Sequence, residues 1–204
     1  MFKNSIKVAL LGNSGVGKTC IISKYVDNRF DDYQASTICA SYLEKVVKRG
    51  KYKYTLNLWD TAGQEKYQSL GKHFYKDAYI VLLVYDITNQ KSLTSLKEVW
   101  YPDLETYGEN CVVMGVVGNK VDLYEEDNLA NEDEAKDFAK EIGAVFCLVS
   151  AKEGENIEKL FDKLLDRFLE KDIQEKVKKI EESKNLDNSF IIGNKMEEKK
   201  KCCK

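Results

Sequence analysis

The residues best suited to chemistry form the run Gly12-Asn13-Ser14-Gly15-Val16-Gly17-Lys18-Thr19. It fits G-x-x-x-x-G-K-[ST], in which glycines let backbone N–H groups curl around phosphate oxygens and the next helix points its positive N-terminus at them. Lys18 is then the cation for a β- and a γ-phosphate, and Thr19 offers its hydroxyl to Mg²⁺. A second set, Asn119-Lys120-Val121-Asp122, can read a base. A carboxylate accepts two hydrogen bonds, from N1–H and the exocyclic amine of guanine. Adenine lacks that donor pair, so Asp122 would reject an adenine nucleotide by leaving a buried carboxylate unpaired. In Asp60-Thr61-Ala62-Gly63-Gln64-Glu65, a strand end would bring Asp60 to Mg²⁺ and the Gly63 N–H to the γ-phosphate. Gln64 is the residue type that orients an attacking water. Ser150-Ala151-Lys152 closes a further strand.

Each set has a plainer reading. The first could be a glycine-rich turn with an incidental lysine, the second a helix-capping Asn followed by solvated charges. Ser150 could be an N-cap and Gln64 an exposed loop amide. About one shuffled chain in a hundred of this composition would contain the first motif, and about one in eight the second. Order and place raise both, because they follow strands whose carboxyl ends are where open α/β sheets bind ligands.

The elements that must position these residues alternate over the first 170 positions. Ile6–Leu11, Val81–Tyr85, Val112–Val117 and Val145–Val149 are short apolar runs bounded by Gly, Asn, Asp or Ser, as suits strands of a mostly parallel sheet buried on both faces. Leu93, Leu96 and Trp100 keep helical spacing, and Ile157, Leu160, Phe161, Leu164, Leu165 and Phe168 make a stripe. Tyr42–Lys48 and Tyr52–Trp59 flank Arg49-Gly50-Lys51 as one antiparallel hairpin. The expected fold is an α/β three-layer sandwich around a mixed six-stranded sheet. Pro102, the only proline, is expected to kink or end the helix around Trp100.

The formal charge of −2 over 204 residues is uneven. Residues 171–204 carry 10 lysines and 7 acids, a net +3, which leaves −5 for residues 1–170. That acidic balance argues against a nucleic-acid binder, while the tail can be drawn to an anionic membrane. No secretory signal is visible, and the longest apolar stretch, Tyr79–Tyr85, is far below the ~20 residues that span a bilayer, so an intracellular chain is expected. Cys20, Cys39, Cys111 and Cys147 read as small buried hydrophobes, and no C-x-x-C pair suggests zinc or redox chemistry. Beyond about Lys171, Glu, Lys, Asn and Ser dominate, which reads as a disordered tail.

Together these motifs resemble the Ras-like small GTPases, and within them the Rab family. The resemblance covers residues 5–170 and extends to the tail. It rests on Trp59-Asp60-Thr61-Ala62-Gly63-Gln64-Glu65-Lys66-Tyr67-Gln68-Ser69-Leu70, Phe74-Tyr75-Lys76-Asp77-Ala78 and Leu83-Val84-Tyr85-Asp86-Ile87-Thr88, which are similar to the Rab second switch and the strand after it. It implies a P-loop NTPase small G-domain with about five helices over residues 1–170, and a hypervariable tail over 171–204. It also implies a GTP/GDP switch with Mg²⁺ as cofactor. Ser14, Gly15, Val16, Gly17, Lys18, Thr19, Cys20, Phe30, Thr37, Gly63, Asn119, Lys120, Asp122, Ser150, Ala151 and Lys152 would hold the nucleotide. Thr19, Thr37 and Asp60 would hold the metal, and Lys18, Thr37 and Gln64 would serve hydrolysis. Thr37 matches the switch I threonine, and Phe30 the aromatic that packs against guanine. Tyr42, Trp59 and Phe74 match the aromatic triad that contacts effectors; packing under the hairpin is the plainer reading of Trp59.

Ser36-Thr37-Ile38-Cys39-Ala40-Ser41-Tyr42-Leu43 is more similar to the S-T-I-G-A-A-F-L of the early-endosomal Rab branch than to the commoner T-I-G-I-D-F. Cys39 stands where Rabs usually carry Gly, and Ser41 replaces the motif aspartate. Cysteine resists positive φ, so either the backbone there is ordinary or switch I is altered.

The C-terminus, Lys199-Lys200-Lys201-Cys202-Cys203-Lys204, does not fit C-a-a-X, since Lys201 stands fourth from the end. It resembles Rab tails ending C-C-X, with both Cys202 and Cys203 lipidated; two chains anchor where one holds only marginally. Phe190-Ile191-Ile192 resembles the apolar motif gripped by the prenylation escort protein. The implied partners are an exchange factor, a GTPase-activating protein, effectors, a GDP-dissociation inhibitor and that escort, with no nucleic acid. The implied state is a monomer on the cytosolic face of endosomal membranes, cycling with cytosol. Alternatives are a Rab of another trafficking step, a nucleotide-locked scaffold that does not hydrolyse, and a P-loop kinase or ATPase. The last would lack the Asn119–Asp122 selector and need an Arg-rich lid, whereas the chain holds only Arg29, Arg49 and Arg167.

Overall fold

The computed structural model describes residues 4–32, 37, 41–61, 75–124 and 132–174. The chain divides into two compact units, Met1–Asp166 and Arg167–Lys204. In the first, strands β1 (Ser5–Leu11), β2 (Ser41–Arg49), β3 (Tyr52–Asp60), β4 (Ile80–Asp86), β5 (Val113–Asn119) and β6 (Val145–Val149) form one sheet in the order β2-β3-β1-β4-β5-β6. Only β2 runs antiparallel, paired with β3; the other neighbours are parallel. The expected α/β sandwich with a mixed six-stranded sheet is the fold observed.

Burial along the strands explains the order. All seven residues of β4 are buried, which requires a position inside a sheet covered on both faces. The residues of β2 alternate between exposed and half-buried, as suits an edge. The half-buried side chains Lys45 and Arg49 reach Glu158, and Asp162 with Asp166, respectively. The β2–β3 turn is made by Gly50, whose φ of +56° is costly for other residues.

On one face, helix α1 (Lys18–Asp27) packs against β2 and β3, and a helix described from residue 157, α5, joins it through the stacked rings of Tyr25 and Phe161, 3.8 Å apart. The other face carries α2 (Gln90–Ser95), a π-helical turn (Leu96–Trp100), α3 (Tyr101–Tyr107) and α4 (Glu132–Glu141). Leu93, Leu96, Trp100, Leu104 and Phe138 pack there against Ala9, Leu11, Val81, Leu83 and Val116. In the second unit, residues 167–174 are helical. No helix among the described residues is long and apolar enough to cross a membrane.

Pro102 does not end the helix, which continues to Tyr107, but it does disturb it: a π turn precedes the proline, with the Tyr101 N–H donating to Leu96 O five residues back. Proline cannot supply the N–H that Glu98 O would otherwise accept, so the ladder shifts register there. Cys20, Cys111 and Cys147 are half-buried rather than core residues. Cys20 faces a cleft, and Cys111 packs at the margin of the core. Cys39 and the tail from 175, with Phe190-Ile191-Ile192, Cys202 and Cys203, lie outside the described residues.

Candidate functional site

The turn after β1 is shaped by three glycines with positive φ: Gly12 (+142°), Gly15 (+80°) and Gly17 (+94°). Two of them are also fixed by space. A Cβ on Gly12 would lie 2.1 Å from Val84 O, and one on Gly17 2.2 Å from Asn119 Nδ2. Gly17 leads into α1, whose N-terminus has no side-chain cap, so its first N–H groups and its dipole face the turn. Lys18 is buried and donates to Gly12 O (2.8 Å) and Asn13 O (3.0 Å). Burial pushes its ammonium down to about 8, against the opposing pull of the Asp60 charge.

Asp60, at the end of β3, is 1% exposed. Its Oδ2 accepts from Thr19 Oγ1 at 2.6 Å and lies 3.3 Å from Thr37 Oγ1, while the two threonine oxygens are 2.7 Å apart. Its Oδ1 has no hydrogen-bond partner among the described residues. Burial raises the carboxyl above its ordinary range, opposed by the Thr19 hydrogen bond, the Lys18 charge and Thr37. A buried carboxylate oxygen without a donor, beside two hydroxyls, is a hard-oxygen set suited to a divalent cation. Thr61 fixes the chain just beyond by donating from Oγ1 to Leu10 O at 2.6 Å.

At the opposite end, Asn119 Nδ2 donates to Val16 O (2.9 Å) and its Oδ1 accepts from Ala151 N (3.0 Å). This buried amide is no helix cap: it ties the glycine-rich turn to the segment after β6. Lys120 adopts a left-handed backbone (φ +73°) and its Nζ pairs with Asp86 Oδ2 at 2.5 Å. Asp122 stands on the exposed wall, and its Oδ1 accepts from Ser150 Oγ at 2.6 Å. Ser150 Oγ in turn accepts from Glu153 N at 3.0 Å, so one hydroxyl both caps the turn and aims the carboxylate.

These groups line a single cleft of about 380 Å³, bounded by Ser14, Gly15, Gly17, Lys18, Thr19, Cys20, Phe30, Thr37, Asn119, Lys120, Asp122, Ala151 and Lys152. Val16 and Asp60 lie behind that wall and support it. Asp31, Asp32 and Leu123 also line the cleft and were not anticipated. Asp31 and Asp32 directly follow Phe30, but acids in a loop give no periodic or motif signal. Gly63 and Gln64 lie outside the described residues.

Away from the cleft, Tyr42 and Trp59 are register partners on β2 and β3, with ring centroids 5.1 Å apart. Tyr42 is exposed and Trp59 half-buried, with Lys7 Nζ 5.1 Å from its ring centre, so the pair presents aromatic surface rather than core. Phe74 lies outside the described residues.

A model of the Ras family matches residues 7–170. The chain is 36% identical over 200 residues to Ras-related protein Rab-31 of Homo sapiens, covering 97% of each. It is 39% identical over 166 residues to Ras-related protein Rab-21 of Homo sapiens, covering 81% of this chain and 73% of that one, and 40% identical over 166 residues to the Bos taurus Rab-21.

Proposed function

This chain belongs to the Ras family, and from that membership we propose a Rab-type GTPase that switches between GTP and GDP in endosomal membrane trafficking. The observation that carries the reading is the single cleft joining a glycine-rich phosphate turn to a base-end carboxylate, with the Asp60–Thr19–Thr37 cluster beside Lys18 at the phosphate end.

In this site the Lys18 ammonium and the turn's N–H groups hold the phosphates. Asp122, aimed by Ser150, accepts the guanine N1–H and amine. Phe30 and Lys120 flank the base. The hydrolytic step is in-line attack of water on the γ-phosphate, with Gln64 orienting the water and Lys18 and Thr37 stabilising the charge that develops. Thr19, Thr37 and Asp60 would hold Mg²⁺, and Asp60 Oδ1 fits that role because it has no donor among the described residues. A cation held there would supply charge neutralisation for the phosphates. Arg49 lies on the hairpin, engaged with Asp162 and Asp166. The family gives Arg29, the arginine beside Phe30, no finger role either, so unassisted turnover is slow, on the order of 10⁻⁴–10⁻³ s⁻¹, until a GTPase-activating protein intervenes.

Family membership supports exchange factors, activating proteins, effectors and a GDP-dissociation inhibitor as partners. Tyr42, Trp59 and Phe74 are the proposed effector contacts. Residues 1–170 are the proposed switch, and 171–204 the tether lipidated at Cys202 and Cys203, placing the monomer on the cytosolic face of endosomal membranes. The test is to purify the protein, identify the nucleotide it carries by chromatography, and follow phosphate release. Guanine nucleotide with turnover that falls on Gln64→Leu is expected. ATP in the cleft would overturn the reading, and GTP without turnover even beside an activating protein would favour a locked scaffold.

A further inference from the structure

The side chain of Asn13 points away from the cleft. Its Nδ2 donates to Ser95 Oγ at 3.0 Å and its Oδ1 accepts from Trp100 Nε1 at 2.8 Å. The indole can only donate, so it fixes which way the carboxamide faces. The main chain of the same residue accepts from Lys18 Nζ. Asn13 is thus held from outside by the helical segment after β4 and holds the phosphate-binding ammonium on the inside.

The π turn is what allows this grip. In a regular α-helix a five-residue step rotates about 500°, leaving Ser95 and Trp100 roughly 140° apart on the helix surface. The wider turn at Leu96–Trp100, closed by the five-back hydrogen bond from Tyr101 N–H, brings both onto one amide. Trp100 is 5% exposed and its ring is packed in the core with Leu96 and Leu104, so the donor is aimed by packing rather than by a free rotamer.

We propose that Asn13, Ser95 and Trp100 form a clamp that positions the phosphate-binding turn and sets how fast nucleotide leaves, with the π turn as the element that closes it. These are positioning residues, since they act on the ligand through the main chain of Asn13 and through Lys18. The clamp rests on the nucleotide reading of the cleft.

The test measures association and dissociation of a fluorescent GDP analogue by stopped flow on the full chain. Trp100→Phe keeps the apolar ring and removes the donor, and Ser95→Ala removes the acceptor. Each should speed dissociation roughly fivefold, the worth of one ordinary net hydrogen bond, with association nearly unchanged. Ser95→Thr, which keeps the hydroxyl, should restore the slow rate. Asn13→Ala should accelerate release by at least as much, and adding Trp100→Phe to it should change nothing further, because the contact is already gone. In a Trp59→Phe background, leaving Trp100 as the only tryptophan, its emission should shift on nucleotide release and lose that response in Asn13→Ala.

Unchanged dissociation in Trp100→Phe and Ser95→Ala, or additive effects in the double variant, would overturn the clamp while leaving the nucleotide site intact. Should Trp100→Phe fail to fold, Ser95→Ala against Ser95→Thr decides alone. A wild-type protein that binds no guanine nucleotide would overturn the function itself and the clamp with it.

Discussion

At one end of the cleft Lys18 and Asp60 are buried with charge unspent: the ammonium leans on two carbonyls and, among the described residues, one carboxylate oxygen has no donor. At the other end nearly every polar group already has a protein partner. Asn119 spans two segments, Ser150 serves both Asp122 and a backbone N–H, and Lys120 pairs with Asp86. The phosphate end therefore gains most from its ligand, because desolvation has been imposed without full compensation. The base end is a finished scaffold, and contributes by being the right shape before anything binds.

The contrast can be broken most forcefully at Lys18. Lys18→Ala removes the charge-assisted bonds to phosphate and should weaken GDP binding about a thousandfold in a fluorescence titration. A loss below tenfold would mean that the base end carries the affinity. The same cation should make this end sensitive to pH. With Lys18 near 8 in the fold and 10.5 in the unfolded chain, the unfolded chain binds more protons between those values. The nucleotide-free fold should then gain stability as pH rises from 8 towards 10.5, while nucleotide, which favours the ammonium, binds more weakly over that range. Titrations at pH 7, 8.5 and 9.5 would check the second trend and denaturation at the same values the first.

At the base end Asp122→Ala should cost about a hundredfold in guanine nucleotide affinity and erase the preference over ATP, as read by competition. Asn119→Ala should act on the scaffold instead: it strands Val16 O and Ala151 N in the interior, for a loss of about 2 kcal/mol in urea denaturation. Ser150→Ala leaves Asp122 in place but unaimed, so only a few-fold loss of affinity is expected, corresponding to about 1 kcal/mol. If Ser150→Ala matched Asp122→Ala, the hydroxyl would have to be a ligand contact rather than a support.

Much of this was legible in the sequence because the informative residues are neighbours along the chain. Gly12 to Thr19 and Asn119 to Asp122 are contiguous, each following an apolar run short enough to be only a strand. What stayed hidden depends on distance in sequence. Asn13 is an unconstrained position of its motif, and its partner Trp100 is 87 residues away. The π turn leaves the apolar spacing of Leu93, Leu96 and Trp100 looking like ordinary helix, since periodicity cannot register one inserted residue over so short a span.

The hairpin edge has a consequence for how the molecule behaves in a crowd. In the described sheet β2 has a partner on one side only, so its other row of backbone donors and acceptors could seed a sheet between molecules. Its nine residues include Glu44, Lys45, Lys48 and Arg49, and two of those cations are tied back to acids on α5. Another chain can extend this edge only by matching its charges, which narrows the strands that can pair there. Replacing Lys48 and Glu44 by valines would give the strand an apolar outer row, Tyr42 to Lys48, on an open edge. Solubility would then be lost from a surface that plays no part in holding the nucleotide.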